Sequence, residues 1–136
     1  MTKTDVFLDT NVLVYAIVGD ATLAVPSLEL LHAGGTVSVQ VLDECANTMR
    51  RKFSASWAQI LRASERIRGL CAVVPVTAET HVRGLALAER HELSVYDGMI
   101  VAAAQLAGCK TLYSEDMHDG FVIDGLTVRN PYAGSP

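Results

Sequence analysis

The sequence predicts an α/β fold: a central parallel sheet flanked by helices on both faces. Two observations carry this. Short β-type runs recur at 5–8, 36–39, 72–76, 111–113 and 126–128, and the stretches between them show helical rather than alternating periodicity. Strands that alternate with helices pair in parallel, because each helix carries the chain back to the end from which it came. A third observation sets the size. Of 136 residues, 50% are apolar, 19% charged and 6% aromatic, enough for one full core and little more. No repeat, low-complexity tract or linker divides the chain, so one domain is expected over 1–130, with a loose tail at 131–136.

The first strand is the apolar run Val6, Phe7 and Leu8, closed by Asp9. After it, the apolar stretch 12–18 is too short to span a bilayer, and a helix is expected around 25–31. Following the second strand, Val41, Leu42, Cys45, Met49 and Phe53 recur at spacings of three and four, the mark of a helix with one buried face. The next helix, 57–70, offers Trp57, Ile60, Leu61, Ile67 and Leu70 less regularly. Over 77–93 the apolar stripe is Val82, Leu85, Ala86 and Leu93; Thr77 is a candidate cap, but Thr80 stands where a capping box needs Glu or Gln. Asp97 then precedes Met99, Ile100, Ala103, Ala104 and Ala107, and so reads as the N-cap or first-turn acid of a small-residue helix closed by Gly108.

Composition excludes several functions. The acid at Asp5 and the absence of an early basic segment argue against a secretory signal, so a soluble, cytoplasmic protein without a membrane span is expected. Cys45, Cys71 and Cys109 are widely spaced and flanked by small or apolar residues, as reduced core thiols are. His32, His81, His91 and His118 form no pair with each other or with cysteine, which argues against structural zinc. A net charge of −4 argues against broad electrostatic affinity for nucleic acid, although bound cations would reverse the local sign.

The chemistry lies in the acids. Asp9, Glu44, Asp97 and Asp116 each border a segment that reads as core, where a carboxylate is costly unless something positive compensates it. In open α/β sheets ligands bind beyond the carboxyl ends of strands. Asp9 and Asp116 follow strands, Glu44 lies on a helix after a third, and Asp97 starts a helix that returns to the sheet. Gathered there, such acids repel one another unless a cation is shared. Ligation by oxygen alone selects a hard ion, with Mg²⁺ or Mn²⁺ favoured over Ca²⁺, and such sites chiefly perform phosphoryl chemistry. Asp43 competes with Glu44, and Glu115 and Asp119 with Asp116; Glu44 lies on the flank of the apolar stripe and Asp43 further toward solvent.

Four segments now resemble a known family. Phe7-Leu8-Asp9-Thr10-Asn11-Val12-Leu13-Val14-Tyr15-Ala16 is similar to the opening motif of the PIN-domain ribonucleases, especially the VapC-type toxins of bacterial toxin–antitoxin pairs. Gln40 to Glu44 with Arg50-Arg51-Lys52 resembles the second motif, Tyr96 to Ala104 the third, and Tyr113-Ser114-Glu115-Asp116-Met117 the fourth. The closing Ile123 to Pro131 matches as well, so the resemblance spans nearly the whole chain in order. One departure is Gly98, where the family usually has alanine, a change that would loosen the helix start.

The resemblance implies a PIN-like fold and an endoribonuclease dependent on Mg²⁺ or Mn²⁺. Asp9, Glu44, Asp97 and Asp116 would be the catalytic, metal-binding acids, with Asp9 and Asp97 as direct ligands, and Glu44 is favoured over Asp43. Thr10, Asn11 and Ser114 sit beside the acids, where they could orient a carboxylate or bind metal-bound water, and Asp119 is a candidate outer ligand. Arg50, Arg51 and Lys52 follow Glu44 by about two turns and could line an RNA path. Partners implied are an RNA substrate, a cognate antitoxin whose segment covers a groove, and a second copy in a homodimer. The helices around 25–31 and 57–70 are candidate surfaces. The alternative is a catalytically silent PIN-like module that binds RNA or protein. Other clustered-acid folds fit worse: a receiver-type domain lacks its lysine after the late strand, since Lys110 precedes it, and a haloacid-type phosphatase would need an acid where Asn11 stands.

Overall fold

The computed structural model describes residues 5–132. In chain order the elements are β1 (Val6–Leu8), α1 (Thr10–Val18), α2 (Ala21–Ala33), β2 (Thr36–Ser38), α3 (Val39–Phe53), α4 (Trp57–Leu70), β3 (Ala72–Val74), α5 (Ala78–His91), α6 (Val95–Leu106), β4 (Thr111–Tyr113), β5 (Val122–Ile123) and β6 (Leu126–Arg129). The strands form one sheet in the order β3-β2-β1-β4-β6-β5, parallel throughout except that β5 runs antiparallel to β6. The chain steps from β1 to β2 to β3 in one direction, then crosses to the far side of β1 to form β4. Because crossovers are right-handed, this reversal distributes the helices over both faces, and it opens a crevice between β1 and β4 at the carboxyl edge. The α/β expectation holds.

Phe7, Leu8, Val37, Leu112 and Val128 are fully buried at the centre of the sheet, and α6 is buried along most of its length from Gly98 to Ala104. On α3, Val41, Cys45 and Met49 face inward as their spacing predicts. The three cysteines are buried and form no disulfide.

Several local expectations are revised. Residue Val39 belongs to α3 rather than β2, because the Ser38 hydroxyl accepts the Val41 amide at 3.3 Å and starts the helix there. Thr77 does form a capping box: the Thr80 hydroxyl accepts the Thr77 amide at 3.1 Å and so does the work expected of Glu or Gln. On α5 the buried positions are Thr80, Gly84, Leu87 and Ala88, while Val82 is 68% and Leu85 43% exposed, so the inward face lies on the other side from the predicted stripe. The reason is close packing. A β-carbon on Gly84 would meet the Met99 sulfur at 2.5 Å, and one on Gly98 would run into the Gly84 carbonyl oxygen. Gly98 thus brings α5 and α6 together instead of loosening the helix start. On α4, Ile60 and Ile67 are buried but Trp57 and Leu61 are exposed. β5 was not expected; it pairs with β6 through Asp124 and Gly125, both at positive φ, as a tight hairpin turn requires. Of the expected tail, residues 133–136 lie outside the described residues, and Tyr132 is packed, its hydroxyl 2.5 Å from the Ser27 hydroxyl.

Candidate metal centre

The centre is assembled at the crevice between β1 and β4. The ladder continues one step past Leu8, with the Asp9 amide donating to the Tyr113 carbonyl at 3.0 Å, so Asp9 leaves the sheet in a fixed position. It is also the N-cap of α1: one carboxylate oxygen accepts the Thr10 amide at 2.7 Å. The other accepts the Ser114 hydroxyl at 2.6 Å. Asp9 is 1% exposed and Ser114 wholly buried.

Asp97 comes from the first turn of α6. Ser94, not Asp97, is the N-cap, its hydroxyl accepting the Asp97 amide at 3.1 Å, which leaves the Asp97 carboxylate half-buried and directed to the crevice. Asp116 is carried by the irregular segment after β4. The Ser114 hydroxyl accepts the Asp116 amide at 3.1 Å, and Asn11 Nδ2 donates to Asp116 Oδ2 at 3.1 Å. One carboxylate oxygen from each of Asp9, Asp97 and Asp116 lies within 4.8 Å of the others.

Glu44 stands just outside this group. It reaches the site through the Thr10 hydroxyl, which donates to Glu44 Oε2 at 3.0 Å, and its charge acts on Asp97. Asp43, one helical step away, is exposed. Asp119 is turned elsewhere: its carboxylate accepts the Asn130 amide at 2.8 Å and ties the loop to the end of β6. Glu115 accepts a short hydrogen bond from the Tyr15 hydroxyl. Arg50 donates to the Ala55 carbonyl at 3.0 Å and lies 4.8 Å over the Trp57 ring, which commits it to the turn between α3 and α4. Arg51 and Lys52 are exposed on the last turn of α3.

The electrostatics agree with the crowding. Burial raises the Asp9 carboxyl to about 7, with Asp116 and Asp97 pushing the same way against the hydrogen bonds from Ser114 and Thr10. Burial likewise raises Asp97, aided by the charges of Asp116 and Glu44. The charges that act on these two acids are those of other carboxylates, so both bind protons more readily than free acids do. The donor set fits a hard divalent cation: it is all oxygen, without His or Cys, with one oxygen of each acid within 4.8 Å of the others. The Asn11 Oδ1 atom, buried beside this set, has no hydrogen-bond partner.

Fold and site together define a class: a single α/β domain with carboxylates converging at the topological switch point of a mainly parallel sheet. Within that class the chain belongs to the PIN domain family, whose sequence profile it matches over residues 6–118. That span holds all four motifs; the similarity of Ile123 to Pro131 lies beyond it. Curated protein sequences provide no match. Among solved structures, a toxin–antitoxin complex from Klebsiella pneumoniae is similar at a TM-score of 0.72 and 22% identity, covering 94% of this chain and 98% of its own. VapC20 of Mycobacterium tuberculosis, a toxin that cleaves the sarcin–ricin loop, gives 0.66 at 22% identity over 82% and 90%. VapBC2 from Rickettsia felis, bound to a fragment of promoter DNA, gives 0.66 at 21% identity over 92% and 97%. At these identities the likeness establishes the fold alone.

Proposed function

We propose that this chain is an endoribonuclease dependent on Mg²⁺ or Mn²⁺ and the toxin of a toxin–antitoxin pair, acting in the cytoplasm. The observation that carries the reading is the meeting of Asp9, Asp97 and Asp116 within 4.8 Å, on three separate parts of the chain. When bound, a divalent ion there supplies positive charge for the scissile phosphate and makes water more acidic. The side chains do the positioning. Asp9 is locked by Thr10 and Ser114, Asp97 is set by a capped helix, and Glu44 is reached through Thr10. Asn11 and Ser114 hold Asp116 from its side chain and its backbone. Preorganised acids of this kind need little rearrangement as the ion and the phosphate bind. Arg51 and Lys52 are the exposed cations of the second motif and would meet RNA, whereas Arg50 supports the turn behind them.

The antitoxin is assigned to a separate groove of about 730 Å³ between α1, α2, α3 and α4. Ile17, Leu28, Phe53 and Ile67 line it, with Arg62, Glu65 and Arg66 among the polar lining, a mainly apolar surface of net positive charge suited to an apolar segment that also carries acids. By its likeness to the family, the chain would also pair with a second copy of itself in a homodimer.

Asp97→Asn tests the chemistry. It removes one charge without changing shape, so the fold should persist while metal-dependent cleavage of total cellular RNA falls by at least about a hundredfold. Full activity in this variant, or tight RNA binding by the wild type without cleavage under any divalent ion, would sink the reading. Growth arrest on expression, relieved by co-expressing the product of a neighbouring gene, tests the toxin role separately.

A further inference from the structure

The segment from Ser114 to Phe121 carries Asp116 but has no helix or strand of its own; backbone bonds fix its ends, Ser114 to Arg129 and Gly120 to Val128, and side-chain ties hold the part between. Two of these ties come from one helix. Asn11 and Tyr15 are four residues apart on α1 and therefore on the same face, and they grip consecutive residues: Asn11 donates to the Asp116 carboxylate, and the Tyr15 hydroxyl donates to the Glu115 carboxylate. Tyr15 is itself braced. Tyr132 meets its ring edge-on, with centroids 5.3 Å apart and planes at 77°. The Tyr132 hydroxyl lies 2.5 Å from the hydroxyl of Ser27, which is wholly buried on α2 and bonded to the Leu23 carbonyl at 2.7 Å.

We infer that Tyr15 is a positioning residue, which through Glu115 fixes the loop that presents Asp116 to the metal. Without Tyr15, Asn11 still holds the Asp116 carboxylate and the Ser114 hydroxyl its amide, but the Glu115 side chain loses its tie to α1. With both ties in place, two consecutive residues of the loop are fixed to one face of α1, the helix that Asp9 caps. Glu115, the acid that competes with Asp116 in the sequence, thereby acquires a different role: it anchors and does not ligate. The metal part of this inference rests on the reading proposed above, while the loop part stands on geometry alone.

Tyr15→Phe keeps the ring against Tyr132 and deletes the hydroxyl. Two measurements decide the matter. In the metal-free protein, amide hydrogen exchange at residues 114–119 should speed up by at least about tenfold while β1 and α6 stay protected. By calorimetry with Mn²⁺ alone, affinity should fall by about tenfold, and RNA cleavage should lose kcat with KM unchanged. Glu115→Gln, which retains an acceptor for the Tyr15 hydroxyl, should keep slow exchange and most of the affinity; Glu115→Ala should match Tyr15→Phe. Exchange at 114–119 that is unchanged by Tyr15→Phe overturns the inference, as does wild-type Mn²⁺ affinity in a variant with the loosened loop. Should the wild type take up no Mn²⁺ or cleave no RNA, the nuclease reading fails instead, and the exchange experiment still decides whether Tyr15 holds the loop.

Discussion

Asp9 occupies the position with the most at stake. Its folded value of about 7 stands above the ordinary 3.8, so the folded chain keeps a proton that the unfolded chain releases. That contribution to stability is fully present below pH 3.8 and is lost as pH rises through about 7, an effect on the order of a few kcal/mol; Asp97 shifts in the same direction. The metal-free protein is therefore expected to melt at a lower temperature at pH 8 than at pH 5.5, as read by calorimetry. Asp9→Asn should flatten that dependence and raise the melting point at pH 8 while abolishing stabilisation by Mn²⁺. Much of this was legible in the sequence, because an acid directly after Val6-Phe7-Leu8 is costly wherever the chain folds. Glu44 was preferred over Asp43 mainly through the family resemblance, with one step of helix rotation pointing the same way. The Tyr15–Glu115 pair was not legible: the partners lie a hundred residues apart, and neither type is unusual where it stands. Nor did the run of basic residues reveal that Arg50 is spent on Ala55 and Trp57.

The helix pair α5 and α6 shows how an element can be recognised and its orientation missed. Large apolar residues mark a buried face only where neighbours leave room for them. Here the helices approach so closely that Gly84 and Gly98 occupy the contact, and Val82 and Leu85 are left outside. Gly98→Ala, which would restore the family's usual residue, is expected to destabilise the fold by about 1–3 kcal/mol through overpacking, measurable by urea denaturation. Because Gly84 faces the same contact, Gly84→Ala combined with it should cost less than the sum of the two. The β5–β6 hairpin was missed for another reason. A strand of two residues has no periodicity, and its signal was the Asp124-Gly125 turn instead. Gly125→Ala should cost about 1 kcal/mol at that positive φ.

Across the whole molecule, the alternation of strands and helices forecast a parallel sheet, but the order β3-β2-β1-β4-β6-β5 depends on which edge each strand joins, and no local pattern encodes that choice. The order matters because it places β4 beside β1 and so creates the crevice. Ion binding only to the folded state should raise the melting temperature, by about 3 kcal/mol of added stability when the ion is a hundredfold above its dissociation constant. The gain should be larger at pH 8 than at pH 5.5, since the cation displaces the protons held by Asp9 and Asp97, and a chelator should reverse it. The bond from Ser114 to Asp9 spans 105 residues of sequence, and this has a consequence for biosynthesis. A chain still emerging from the ribosome exposes Asp9 first, yet has neither β4 beside it nor Asp116 until more than a hundred further residues have been made. The centre thus completes only once Asp116 has been made, and a product truncated before that residue would lack the assembled carboxylates.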